Sequence, residues 1–313
     1  MRILFLVLIF MTGAISQEFD QPLAVLTALK GDVRIYHPDQ GTEKRACLLD
    51  YLFSGDTLII NDKGCATLFF KNGLFHEVEN PGRLAINHDL PANKTRDSLG
   101  MSVFFKDICA LKLDYNELDT KYVTAPEETV KCNMYCPGNT ALINARPDII
   151  WSTCPGANWY TMRIRRASKI LKSIATTDTA YAYPEHDDDM EPGGYDIQIL
   201  AVHNSDTLYK ITRSLFILDS LSIYNTGQTM KMIGRQKCDD FTITLLTAVF
   251  LRKKQLRSMA IESFKKLLAD MPSSLILYKS MAELYYELGF VDLGNSFLGL
   301  SEQKIEKPDL PEN

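Results

Sequence analysis

The chain has 313 residues, 46% of them hydrophobic and 23% charged, with a formal net charge of −5. That make-up belongs to an ordinary folded protein with room for more than one core, and it excludes a disordered or collagen-like chain. It also lacks the clustered Lys/Arg surplus that displaces counterions from phosphates, so nucleic acid is a poor partner.

The first sixteen residues are set apart from the rest. Arg2 opens a short positive region, Ile3–Met11 is an apolar run, and Ala14-Ile15-Ser16 has the small-x-small spacing of a cleavage site. This predicts a secretory signal peptide at 1–16, cut before Gln17, and an exported chain that is periplasmic or extracellular. The apolar run reaches only about 14 Å as a helix, against a bilayer core of about 30 Å. No later stretch approaches eighteen apolar residues, so no membrane span is expected in the mature chain.

From Leu23 to Ile86 the sequence alternates apolar and polar residues in short runs. Val25, Val33, Ile35, Leu58, Ile60, Leu68 and Phe70 suit half-buried antiparallel strands. Gly31-Asp32, Gly55-Asp56 and Asn72-Gly73 supply turns, and Asn-Gly predicts that Thr67–Phe70 pairs with Leu74–Val78. The pattern "GDV … L..GD.L … GCA.L.F.NG … L.I" resembles the FecR-type domain. Its shared features are turn glycines and core hydrophobes, so the resemblance implies a β fold and an envelope setting at 17–86, not a chemistry.

Residues 87–144 read as a connecting region. Asn87–Leu99 is polar and broken by Pro91, whereas Phe104, Phe105, Ile108, Leu111 and Tyr115 are spaced for one face of a short helix. The seven cysteines form no dense disulfide framework. Cys132-x-x-x-Cys136 is the one close pair, open either to a local disulfide or to inert thiols; Cys47 and Cys65 read as small core hydrophobes. One such pair is too few ligands for structural zinc, so no metal and no cofactor are expected.

Between residues 145 and 219 short strands recur about every ten residues, the mark of a small sandwich. The string "P..IW..CPGANWY.MRI … YP … M.PGGYDIQILA" looks like a fibronectin type III-like module. The resemblance implies that Trp151 is the buried central aromatic and that Tyr195 packs from the opposite sheet.

From Asp239 the period changes from two to about 3.6. A shift of 34 residues lays Ala248 on Ala282, Leu251 on Tyr285, Ala260 on Gly294 and Phe264 on Leu298. Small residues at that period resemble the tetratricopeptide repeat, which implies paired helices over 220–303 before a polar tail at 304–313.

Signals for chemistry are thin: there is no GxSxG, no Gly-rich phosphate loop and no HExxH. Glu185-His186-Asp187-Asp188-Asp189 reads as a solvated loop, and the run from Arg163 to Lys169 as an exposed basic strand. The expectation is therefore a multidomain chain, not an enzyme, with mainly β N-terminal and middle domains of sandwich type before an all-α helical-repeat domain. A protein partner would dock on the first helix of each repeat, at Thr242, Leu245, Val249, Arg252 and Lys253, then Ile276, Lys279, Glu283, Tyr286 and Glu287. The role would be interaction or scaffolding in the cell envelope. The alternative is glycan or cell-wall binding by Tyr36, Tyr51, Trp159 and Tyr181.

Overall fold

A computed structural model describes residues 21–87, 90, 100–111 and 132–306. The expected leader at 1–16, most of the linker after Asn87 and the last residues of the tail lie outside them. The N-terminal alternation folds as β1 (Ala24–Lys30), β2 (Val33–His37), β3 (Thr42–Arg45), β4 (Tyr51–Leu52), β5 (Thr57–Ile60), β6 (Cys65–Phe70), β7 (Phe75–Val78) and β8 (Gly82–Ala85). These strands form two four-stranded sheets, ordered β4-β1-β6-β7 and β3-β2-β5-β8. Gly73 turns the β6–β7 hairpin at φ +88°, a backbone conformation that favours glycine.

Ala24, Leu26, Leu68 and Phe70 meet Val33, Ile35, Leu58 and Ile60 in a core between the two sheets. The other face of β1 and β6 is buried as well. Val25 and Phe69 join a second core with α1 (residues 102–111) and the C-terminal helices. This is why β1 reads as a nearly continuous apolar run: a strand covered on both faces has no solvent side to keep polar. Phe104, Phe105, Ile108 and Leu111 of α1 are buried, as their spacing requires. Phe105 lies 5.8 Å from Phe69, and Phe104 lies 6.1 Å from Phe250, so α1 wedges between sheet and helices. Cys47 is exposed and Cys65 half-buried, contrary to their expected place in the core; Cys47 lies in the connection between β3 and β4, and Cys65 is the first residue of β6.

The middle unit is built from β9 (Met134–Cys136), β10 (Thr140–Leu142), β11 (Ile149–Trp151), β12 (Trp159–Arg166), β13 (Lys169–Thr176), β14 (Ala180–Tyr181), β15 (Gly193–His203) and β16 (Asp206–Ile217). A five-stranded sheet, β10-β16-β15-β12-β13, faces a three-stranded one, β14-β11-β9. Trp151 is 2% exposed between them, edge-on to Tyr160 at 5.8 Å, and Tyr195 joins the same core from the five-stranded sheet. β9 and β10 belong to this unit although the sequence places them in the connecting region, because each is too short to show a period. Cys132 bonds Cys154, not Cys136, with 4.9 Å between the Cα atoms; the bridge ties the entry of β9 to the loop after β11.

Among the described residues five further helices follow: α2 (Ser220–Ile233), α3 (Asp240–Lys253), α4 (Arg257–Asp270), α5 (Leu275–Leu288) and α6 (Val291–Glu306). Asp219 and Asp239 cap α2 and α3 through Ser222 N and Thr242 N. α3 pairs with α4 and α5 with α6. Ala248, Ala260 and Ala282 are fully buried where these helices meet. A Cβ on Gly294 would come within 2.5 Å of the Tyr286 ring, so the position equivalent to Ala260 is held still smaller. Among the described residues no helix is long and apolar enough to cross a membrane.

Candidate functional site

The expected docking face on the helices is not an open surface. Thr242, Leu245, Val249, Ile276, Lys279 and Glu283 are all buried. Arg252 reaches Glu283 at 2.5 Å and Glu287 at 3.6 Å, while Arg257 holds Glu287 at 2.6 Å. Lys253 pairs with Asp107 of α1 at 2.9 Å. The Tyr286 hydroxyl donates to Asn295 at 2.6 Å. The physical reason is that α3 is apolar around most of its circumference, so its flanks are covered by β1, α1 and the neighbouring helices. Six of the ten are thus buried and Arg252, Tyr286 and Glu287 half-buried, so most of the set forms an internal seam, while Lys253 stays exposed.

The aromatic residues offered for glycan binding are not brought together. Tyr36 lies in β2, and Tyr51 in β4 of the opposite sheet, where its hydroxyl donates to Cys109 O at 2.9 Å. Trp159 begins β12, and Tyr181 sits in β14, edge-on to Tyr183 at 6.2 Å. Burial lifts the Tyr51 hydroxyl to about 12, which fits a packed role.

The sandwich is locked to the helices along one side. Asn139 N donates to Leu288 O at 3.1 Å, Ala141 N to Gln255 O at 2.8 Å, and Arg257 Nη1 to Asn139 O at 3.0 Å. Arg213 projects from β16 into this seam and donates to Gly289 O at 2.7 Å and Asn133 Oδ1 at 3.2 Å. Burial lowers its guanidinium below the ordinary value. Gly289 must be glycine here: its φ is +87°, and a Cβ would sit 2.8 Å from the guanidinium carbon.

The far side of the five-stranded sheet is different. β13 is its last strand, eight residues long and mostly exposed, with Ile170 46% and Leu171 48% accessible. On the side of β12 turned away from the core stand Arg163 and Arg165, opposite Ser173 and Ile170 of β13. Among the described residues neither guanidinium has a carboxylate at ion-pair distance, and both Nε atoms are buried without a hydrogen-bond partner.

On the core side three cations are paired. Lys172 pairs with Asp187, Arg166 with Glu191, and Arg146 with Asp189. Lys172 also lies 5.2 Å from the Tyr181 ring centroid and 5.4 Å from that of Tyr183. The acidic run 185–189 is thus exposed, as expected, yet tethered across a cleft of about 780 Å³. The Lys172 ammonium beside Asp187 holds its carboxyl below the usual carboxylate range. Among the described residues no group of three or more His, Cys, Asp or Glu is arranged to hold a metal ion. The β13 edge went unnoticed in the sequence, although lysines at 169 and 172 within an otherwise apolar strand are a mark of an edge.

The chain matches no protein-family model and no curated protein. Among solved structures it is similar to one named "Cell surface anchoring domain", at 21% identity over 24% of this chain and 96% of that one, with a TM-score of 0.22.

Proposed function

We propose that this is a non-catalytic adaptor of the cell envelope, exported and acting through protein–protein contact, and that its β-sandwich, not its helical face, meets the partner. The observation that carries this is the division of polar groups. Arg252 and Arg257 of the helices and Arg213 of the sandwich seam are engaged in internal contacts, whereas Arg163 and Arg165 on the outer side of β12 and Lys169 on β13 have no carboxylate at ion-pair distance among the described residues. Arginines and apolar side chains side by side are the composition from which protein-binding surfaces are built. The Cys132–Cys154 bond supports export, since such bonds persist in oxidising compartments. The test is a pull-down with the chain as bait, run against envelope proteins and against purified cell wall. Saturable recovery of a defined envelope protein is the expected result. Retention by cell wall alone would transfer the role to glycan binding.

A further inference from the structure

We propose that the free edge of β13 accepts an extended acidic segment of a partner protein as an added strand, with Arg163 and Arg165 reading its carboxylates. This rests on the adaptor reading and names the partner's chemistry. Three observations carry it.

First, the backbone of β13 pairs with β12 along Lys169–Thr176, and no other backbone hydrogen bond reaches those residues among the described ones. An eight-residue edge of this kind offers a ladder of donors and acceptors to an incoming strand. Second, the outer side of the sheet next to that edge is cationic: Arg163 stands opposite Gln198 of β15, and Arg165 stands opposite Asp196 without an ion pair to it and donates only to Ser168 O at 3.5 Å. An added strand would lie about 9.5 Å from β12, two strand spacings away. Arginine and glutamate side chains together span that distance. Ser173, which stands between Arg163 and the edge, is small enough to be crossed. Third, the edge itself carries a cation without an ion pair: Lys172 and Arg166 hold Asp187 and Glu191, but Lys169 at the start of β13 has no carboxylate at ion-pair distance among the described residues.

A strand alternates its side chains between faces. The fitting segment therefore pairs with the regular stretch Lys172–Thr176, beyond the bulge at Leu171, and alternates acidic residues on the side of Arg163 with apolar residues toward Ile174. A second copy of this chain fits poorly. Two β13 strands paired edge to edge would set Lys169, Lys172 and the arginines of one copy against those of the other, and like charges across a strand pair are destabilising.

The probe is a blocked, fluorescein-labelled octapeptide of four Val-Glu repeats, titrated with the full chain and followed by anisotropy. Saturable binding is expected. Arg163→Gln/Arg165→Gln should weaken it by about tenfold, the effect of losing two exposed ion pairs. A peptide N-methylated at every backbone nitrogen should not bind, because neither of its edges can donate to β13. A thermal melt of the arginine variant shows whether it is folded, and the N-methyl comparison on the wild-type chain needs no variant. Absence of binding, binding indifferent to N-methylation, or a concentration-dependent dimer that excludes the peptide would each overturn the proposal. An envelope partner recovered without acidic-peptide binding would remove this inference and leave the adaptor reading. Failure to recover any partner would remove the adaptor reading itself.

Discussion

The hydroxyls of Thr27 and Thr242, 215 residues apart in sequence, lie 3.0 Å from each other in a buried contact between β1 and α3. Beside them Asp239 caps α3 through Thr242 N at 2.8 Å and accepts a hydrogen bond from Thr67 of β6 at 2.6 Å. One carboxylate thus starts a helix and fastens it to the N-terminal sheet. Asp239→Ala removes both functions and strands the Thr67 hydroxyl, so it is expected to cost about 2–3 kcal/mol, more than the ~1 kcal/mol of an ordinary cap. A urea melt compared with Asp219→Ala, which is only a cap, checks this. Equal losses at the two positions would show that the link to β6 contributes nothing.

Trp151→Ala should cost about 3–5 kcal/mol, as deletions of large buried aromatics do. Trp151→Phe should cost clearly less, because the indole nitrogen has no hydrogen-bond partner to lose. Trp159, half-buried at the start of β12, should tolerate alanine better than Trp151. Denaturant melts of the three variants decide the order.

The Cys132–Cys154 bond closes a loop of 22 residues. On chain-entropy grounds, Cys132→Ala should lower stability by about 3 kcal/mol. Cys136→Ala should be much milder, since its half-buried thiol, pushed up by burial, is not bridged. Peptide mapping without reduction should return the 132–154 pair. Recovery of Cys132 joined to Cys136 would contradict the fold of this unit.

The acidic loop should respond to pH in a definite direction. Asp187 is held below the ordinary carboxylate value of about 3.9 by its hydrogen bond to Lys172. A carboxyl lowered in the folded state contributes stability above its unfolded value, and that contribution is lost as pH falls through the folded value. The tether to β13 should therefore hold at pH 5 and release only below about 4. Carboxyl-carbon NMR of Asp187 should titrate below the ordinary aspartate value in the wild type and move toward it in Lys172→Met.

The elements read most readily from sequence were those governed by local rules. Asn72-Gly73 marked its hairpin, the spacing of Phe104, Phe105, Ile108 and Leu111 marked α1, and Ala260 over Gly294 marked the tight helix pairs. Tertiary pairings were not legible. Periodicity says that a helix has an apolar face, but not which neighbour covers it, and so the side chains from Thr242 to Glu287 were read as outward although most are inside. The cue was present in α3 itself, where DFTITLLTAVFLRK has too many apolar residues for one stripe. β9 and β10 are not legible because three residues carry no period, and the Cys132–Cys154 bridge is not because it depends on β9 pairing with β11 in one sheet. The open edge of β13 depends on strand order, which only the assembled sheet reveals.

Position-specific photocrosslinking in the protein's own cells tests most directly whether the sandwich edge, not the helices, meets the partner. A photoreactive residue at Ser173 on β13 is compared with one at Leu300, an exposed position on α6. Adducts to a defined envelope protein from position 173, and none from 300, are the expected result. Adducts from 300 alone would contradict it and return the binding surface to the helices.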